Sequence, residues 1–357
     1  MSSYISGIGC ISPQQTIGSS NLLEEPVNSQ ALFLQCIQPE SYRDYIDPLL
    51  SRRLSRNIKM GITAALISIK ESGIDNPGAV ITGTGMGSVV DTEKFLTTML
   101  DNNETLLNPT NFMQSTYNTI SSQIAIMLKC SNYNTTYVHR GFSFESALAD
   151  GMDLMNRGEA ESALIGGIDE MSENHFVISS LTGAWRQRAE SNLSLLKTPA
   201  EGTIPGEGSV YFTLTKNCQP SSYALLDCLK TFYKPKSKSA VVEAIDNLLN
   251  ENSLTSADID LVVAGLNGDK TSDAWYHTIT VELFENKPVA AFKHLCGEYY
   301  TASAFGLWLA SNIIKQQRIP PVALYKGKTP GTIRRILLYN HYAGEQHVAM
   351  LLRVIPK

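Results

Sequence analysis

The chain reads as an α/β protein, and three observations carry that reading. Short apolar and β-branched runs of strand length recur along it, stretches of helical periodicity separate them, and glycine-containing turns close several of them. Strands that alternate with helices argue for largely parallel sheets covered on both faces. With 357 residues, 43% hydrophobic and 18% charged, the chain can bury a large core and is too long for one small domain.

The elements follow in order. The first half, 1–220, opens with a strand at 4–8, a helix at about 56–72 and a strand at 79–83. A helix at 115–128 leads to a β-rich run at 135–138, a tight turn at Arg140-Gly141 and an amphipathic helix at about 143–155. A strand at 162–165, closed by Gly166-Gly167, and a strand at 209–214 complete this half. The polar stretch 216–222 separates it from a second half, 221–357, with strands at 223–229, 261–264 and 289–292, helices at about 240–250 and 302–316, and closing strands at 334–339 and 348–354. The second half loosely repeats the plan of the first.

The turn at Arg140-Gly141 draws attention because a strand that turns sharply into a helix is a nucleophile elbow. It presents one side chain over the helix N-terminus, where free N–H groups and aligned peptide dipoles favour a developing negative charge.

This segment resembles that of the β-ketoacyl synthases, whose elbow carries a cysteine. Arg157-Gly158-Glu159-Ala160-Glu161 and Ile165-Gly166-Gly167-Ile168-Asp169 are similar to the family's helix end and strand end, and counting back without a gap puts the nucleophile position on Gly141. Other segments resemble the family in the same order: Gly9 to Pro13 its Gly-x-x-Ser-Pro turn, Gly83-Thr84-Gly85-Met86-Gly87 its Gly-x-Gly-x-Gly loop, 109–128 its helix before the elbow, and Pro205-Gly206-Glu207-Gly208-Ser209 its Gly-Glu-Gly turn. The resemblance spans almost the whole chain. It implies the thiolase fold, a five-layer αβαβα sandwich of two duplicated halves.

It also implies a catalytic set that this chain lacks. The family's first histidine segment corresponds to Ala264-Gly265-Leu266-Asn267-Gly268-Asp269, with Asn267 in the histidine's place. The second corresponds to Lys293-His294-Leu295-Cys296-Gly297-Glu298, with Lys293 kept and Glu298 replacing the histidine. In the family the thiolate holds the acyl chain as a thioester, and the histidines polarise a malonyl thioester so that decarboxylation gives a stabilised enolate. Gly141 cannot be acylated, and an ionised Glu298 would repel that enolate. The family's gate loop corresponds to Tyr342, Ala343, Gly344 and Glu345, within Asn340 to His347, and its gate phenylalanine is missing.

Several residues admit a catalytic reading beside a plainer one. Ser143 could be a displaced nucleophile, but serine before a helix more often caps it. His139 could act as a base, or simply bond backbone at a strand end. Cys296 with His294 is the one close Cys and His pair, yet i, i+2 spacing does not set up a thiolate and imidazolium, so an inert buried thiol is the plainer reading. Glu298 beside Lys293 could form an ion pair that preserves the shape of an inactive site.

Arg52, Arg53, Arg56 and Lys59 resemble the helix with which the family docks acyl carrier protein; the alternative is a solvated helix face. Phe112, Met113, Gln114 and Tyr117 correspond to the run that crosses the family's dimer interface and helps close the neighbour's acyl tunnel, or else they simply pack in a core.

A net charge of −5 offers no broad attraction to nucleic acid. No basic stretch followed by an apolar run and no apolar segment of bilayer length is present, which points to the cytoplasm without a membrane span. The six cysteines, Cys10, Cys36, Cys130, Cys218, Cys228 and Cys296, show no CxxC pair or zinc spacing and read as reduced thiols, mostly buried. No metal or cofactor is called for.

A ketosynthase homologue without its triad resembles a chain-length factor, the inactive subunit that pairs with an active ketosynthase and shapes its acyl tunnel in polyketide, aryl-polyene or fatty-acid-like elongation. The expected partners are therefore an active ketosynthase in a heterodimer, or a second copy in a homodimer, and an acyl carrier protein. One rival is an acyltransferase or thioesterase with a remodelled site built on Ser143, His139 or Cys296, whose groups would have to converge on a pocket. The other is a non-enzymatic homodimer that binds acyl chains or acyl carrier protein, which would need an apolar tunnel reaching Gly141.

Overall fold

A computed structural model describes residues 3–18, 22–105, 107–188 and 190–356. Its eleven strands are β1 (Ser3–Ile11), β2 (Ala79–Gly83), β3 (Tyr133–Tyr137), β4 (Ser162–Asp169), β5 (Gly208–Thr215), β6 (Ala224–Tyr233), β7 (Leu261–Ala264), β8 (Val289–Ala291), β9 (Leu324–Lys326), β10 (Arg335–Tyr342) and β11 (Gln346–Arg353). They hydrogen-bond in the order β3-β2-β4-β5-β1-β6-β11-β10-β7-β8-β9. The two half-sheets meet at β1 and β6, where Ser3, Tyr4 and Ile5 face Leu226, Leu225 and Ala224.

Alternation along each strand decides the layers. Val80, Leu164 and Tyr211 point to one face, where they pack with Ile58, Ile62 and Ile69 of the helix Arg56–Ser72 and with Ile120 and Ile124 of the helix Thr119–Met127. Their neighbours Ile81, Ile165 and Phe212 point to the other face, into a core shared with Val263, Leu338 and Met350 of the second half. Two helices fill that middle layer, Ser143–Asn156 and Ala302–Gln316, and the second is buried continuously from Ala302 to Ile314, as a helix covered on all sides must be. Leu337, Tyr339 and Leu351 face outward onto the helices Lys238–Glu251 and Lys270–Glu282. The result is helix, sheet, helix, sheet, helix.

Three expectations are corrected. The sheet is mixed rather than largely parallel: β3, β2 and β4 run parallel, as do β10, β7 and β8, but β4·β5, β5·β1, β1·β6, β6·β11, β11·β10 and β8·β9 are antiparallel. Parallel pairing needs a long crossover, whereas β10 and β11 are joined by a tight turn. The helix expected at 115–128 begins only at Thr119 (Thr119–Met127) and is preceded by a separate helix, Pro109–Ser115, because Thr116 is extended (ψ 135°) and the hydroxyls of Thr116 and Thr119 donate to the Met113 carbonyl in place of helical N–H groups. The stretch between β7 and β8 forms a helix, Lys270–Glu282, started by Asp269, whose carboxylate accepts the Ser272 N–H at 2.7 Å.

Candidate functional site

The elbow lies between β3 and the helix Ser143–Asn156. Arg140 takes a left-handed conformation (φ 50°), and the Ser143 hydroxyl closes the turn by donating to the Arg140 carbonyl at 2.7 Å while accepting the His139 N–H at 2.8 Å. Ser143 is thus the first residue of the helix and ties the turn, rather than being the helix N-cap. Gly141 is buried, and its N–H donates to Gln346 Oε1 at 3.0 Å. The same carboxamide donates from Nε2 to the His139 carbonyl at 3.1 Å.

No side chain fits at Gly141. A Cβ there would lie 2.5 Å from the Tyr342 Cβ and 3.0 Å from Gln346 Oε1. The Tyr342 ring packs against Tyr300 with centroids 4.7 Å apart, and Gly85 lies so close beneath Tyr300 that a Cβ would come within 2.2 Å of its ring. The space over the elbow is filled by two tyrosines and an amide.

The opposite wall is closed by charge. Glu298 Oε2 accepts from Lys293 Nζ at 2.7 Å and from Asn267 Nδ2 at 2.7 Å. Lys293 is buried and donates also to the His341 carbonyl at 3.0 Å. Asn267 is fixed from behind, its N–H donating to Asp273 Oδ1 at 2.9 Å and its carbonyl accepting the Thr203 hydroxyl at 2.6 Å. The Lys293 ammonium compensates the buried carboxylate, and the Asn267 amide gives one of its N–H groups to Glu298.

Between the walls, Asp169 at the end of β4 accepts from the Gly85 N–H at 2.7 Å and from the Thr301 N–H and hydroxyl at 2.9 Å each, while burial pushes its carboxyl up to about 6. The cavity beside Met86, Glu298, Tyr300 and Tyr342 measures about 20 Å³. That is room for a water molecule, not for an acyl thioester.

The remaining candidate groups do not converge. The His139 imidazole is exposed, with its ring edge-on to Phe142. Cys296 is fully buried, its thiol donates to the Gly297 carbonyl at 3.3 Å, and burial pushes it well above the usual thiol range. His294 bonds the Val322 carbonyl at 2.9 Å, not Cys296, and is pulled down by burial to about 4. Ser143 is tied into the turn. Among the described residues no group of three or more His, Cys, Asp or Glu is placed to hold a metal ion.

The basic run divides. Arg52 and Arg53 are exposed, but Arg56 forms an ion pair with the buried Glu207 and so is corrected from docking cation to internal partner. Glu207 needs it, because its oxygens also accept the Cys36 N–H at 2.8 Å and the Met171 N–H at 3.1 Å. Lys59 lies over the Tyr42 ring at 5.2 Å. The arginines line an open cleft of about 1200 Å³ in which Lys94 joins them and Asp91, Glu93, Glu170 and Glu173 oppose them. Phe112, Met113 and Tyr117 are each more than half exposed, and Phe112 packs on Phe95 at 5.3 Å between centroids. The Gln114 amide donates to the Arg53 carbonyl, linking this segment to the basic run.

Tyr300 and Gln346 are site residues that sequence reasoning did not single out. The one available signal was the bulk of Tyr299 and Tyr300 directly after Glu298; nothing in the sequence marks Gln346 as a neighbour of Gly141, 205 residues away.

The family described as "Beta-ketoacyl synthase, N-terminal domain" matches residues 18–218, more than half of the chain. No curated protein sequence matches it. Among solved structures it is similar to one described as the ishigamide ketosynthase/chain length factor, with a TM-score of 0.80 and 17% identity over 99% of both chains. A β-ketoacyl synthase from Burkholderia phymatum STM815 aligns with a TM-score of 0.78 and 14% identity over 99% of this chain and 100% of its own. A ketosynthase (ApeO) in complex with its chain length factor (ApeC) from Xenorhabdus doucetiae aligns with a TM-score of 0.75 and 17% identity over 99% and 98%. The thiolase-like fold is common to all of them.

Proposed function

The chain belongs to the β-ketoacyl synthase family, and from that premise we propose that it is a non-condensing, chain-length-factor-type subunit. It pairs with an active β-ketoacyl-ACP synthase in polyketide, aryl-polyene or fatty-acid-like chain elongation and shapes that partner's acyl tunnel. The observation that carries the reading is the filled elbow: Gly141 offers no nucleophile, and Tyr342 and Gln346 occupy the space a nucleophile and its thioester would need. The self-compensated set Lys293, Glu298 and Asn267 supports it, since the Glu298 carboxylate takes a donor from each of the other two and would repel an enolate.

Pairing is supported by two surfaces. β3 is an edge strand bonded within the chain only to β2, and its sequence Tyr133-Asn134-Thr135-Thr136-Tyr137 has no lysine or proline to discourage a further strand. Beside it in sequence, Phe112, Met113 and Tyr117 present apolar surface. Two relatives of the same fold are described as ketosynthases with chain length factors. Docking of an acyl carrier protein rests on Arg52 and Arg53 alone, the two exposed members of the basic run.

The test is mass spectrometry of the purified chain after exposure to acyl-carrier-protein thioesters, alone and with a ketosynthase co-expressed from the same source. The expected result is labelling of the partner only, and only when the two co-purify. Covalent acylation of this chain by itself would overturn the proposal and identify a nucleophile.

A further inference from the structure

The loop between β10 and β11 occupies the place of a mobile gate, yet both of its ends are held. At one end the Gln346 carboxamide bridges the elbow backbone, accepting the Gly141 N–H at 3.0 Å and donating to the His139 carbonyl at 3.1 Å. At the other, two buried histidines grip one residue. The Gly344 N–H donates to His341 Nδ1 at 3.1 Å, and His347 Nε2 lies 2.9 Å from the Gly344 carbonyl.

The partners fix both tautomers. A carbonyl only accepts, so the proton of His347 is on Nε2, and its Nδ1 accepts the Tyr339 hydroxyl at 2.7 Å. By the same argument His341 carries its proton on Nε2, directed at the Ser272 carbonyl at 3.0 Å, which leaves Nδ1 free to accept Gly344. Gly344 is required on two counts: it is left-handed (φ 66°), and a Cβ would lie 2.8 Å from Trp275 Nε1.

We propose that the 342–345 loop is a fixed cap, clasped shut over the elbow by Gln346 on one side and by the His341, His347 and Gly344 grip on the other. Tyr342 fills the elbow because the clasp holds it there. This holds whichever partner the chain takes, and whether or not the subunit reading is right.

Protonation of His341 at Nδ1 would set an N–H against the Gly344 N–H and open the grip, whereas protonated His347 would keep its Nε2–H on the Gly344 carbonyl. The groups facing them oppose that step. His341 is faced by Lys293, His347, Tyr276 and Tyr339, and burial with the Lys293 charge holds it well below the usual histidine range. His347 is faced by Tyr339, His341, Trp275 and Phe232 and is lowered by burial to about 4. Lys234 and Glu345 pair at 3.5 Å on the exposed side of the loop.

Hydrogen exchange of the full chain reads the clasp directly. In Gln346→Ala, which removes two hydrogen bonds to the elbow backbone, the amides of 139–144 and 341–345 are expected to exchange about fivefold faster or more, while the core of β11 keeps its protection. His347→Phe should release the 341–345 amides and leave Gly141 protected. Unchanged exchange at 341–345 in both variants overturns the proposal. Should the variants not fold, imidazole ¹⁵N spectra of the unaltered protein decide: both rings are expected as neutral Nε2–H tautomers at pH 7, and either ring found as the Nδ1–H tautomer overturns the clasp.

Discussion

The two walls of the degenerate site are closed in different ways. At the elbow the wall is closed by volume, with Tyr342 and Gln346 pressed against Gly141. Across from it the wall is closed by charge, with Glu298 held between Lys293 and Asn267. The physical demands differ accordingly. A wall closed by volume needs only to be apolar and well packed, whereas a buried carboxylate needs a counter-charge and donors, and each depends on the other. The charged wall is therefore the more fragile.

The largest effect is expected from breaking that pair. Lys293→Met leaves Glu298 buried without its cation and should cost about 3–5 kcal/mol in urea unfolding. Lys293→Met with Glu298→Met should regain most of the loss. A single variant as stable as the unaltered chain would mean that the charged wall is no more demanding than the packed one.

The packed wall is sharpened by Gly141→Cys. The added Cβ meets backbone-proximal atoms of Tyr342, and overpacking of this kind costs about 1–3 kcal/mol. With Tyr342→Gly, which removes the Cβ it meets, the same cysteine should cost less, by a coupling of about 0.5–3 kcal/mol in a double-mutant cycle. Neither variant is expected to condense malonyl thioesters. Condensation by Gly141→Cys alone would show that the site was merely short of a nucleophile.

The last effect concerns a carboxyl that belongs to neither wall. Glu145 lies buried between the two central helices, accepts the Ser303 hydroxyl at 2.5 Å, and is pushed up by burial to about 7. The folded chain keeps this proton up to about pH 7, whereas the unfolded chain loses it near the ordinary glutamate value. Its contribution is therefore complete at low pH and is lost as pH rises to about 7. Glu145→Gln should gain on the unaltered protein by about 2 kcal/mol between pH 5 and pH 8. A difference independent of pH would place a compensating charge beside Glu145, as Lys293 compensates Glu298.

Much of the fold was legible because its signals are local. Strand-length apolar runs, the Gly166-Gly167 strand end and the elbow turn are short-range patterns, and they place every strand but the short β9 in the right order. The helix Lys270–Glu282 escaped because its polar face hides a narrow buried one, confined to Asp273, Tyr276, Ile279 and Thr280. Arg56 was misread because a cation in a basic run looks exposed until its buried partner, Glu207, is placed beside it.

By itself the sequence determined that the elbow carries glycine and that asparagine, lysine and glutamate stand in the two segments that resemble the family's histidine segments, since chemical identity is written residue by residue. Tertiary structure alone decided what those residues became. Tyr300, Tyr342 and Gln346 reach Gly141 only because the two half-sheets close around the central helices, bringing together groups as much as 205 residues apart. Contact across that distance is set by packing and not by any pattern a single segment can carry.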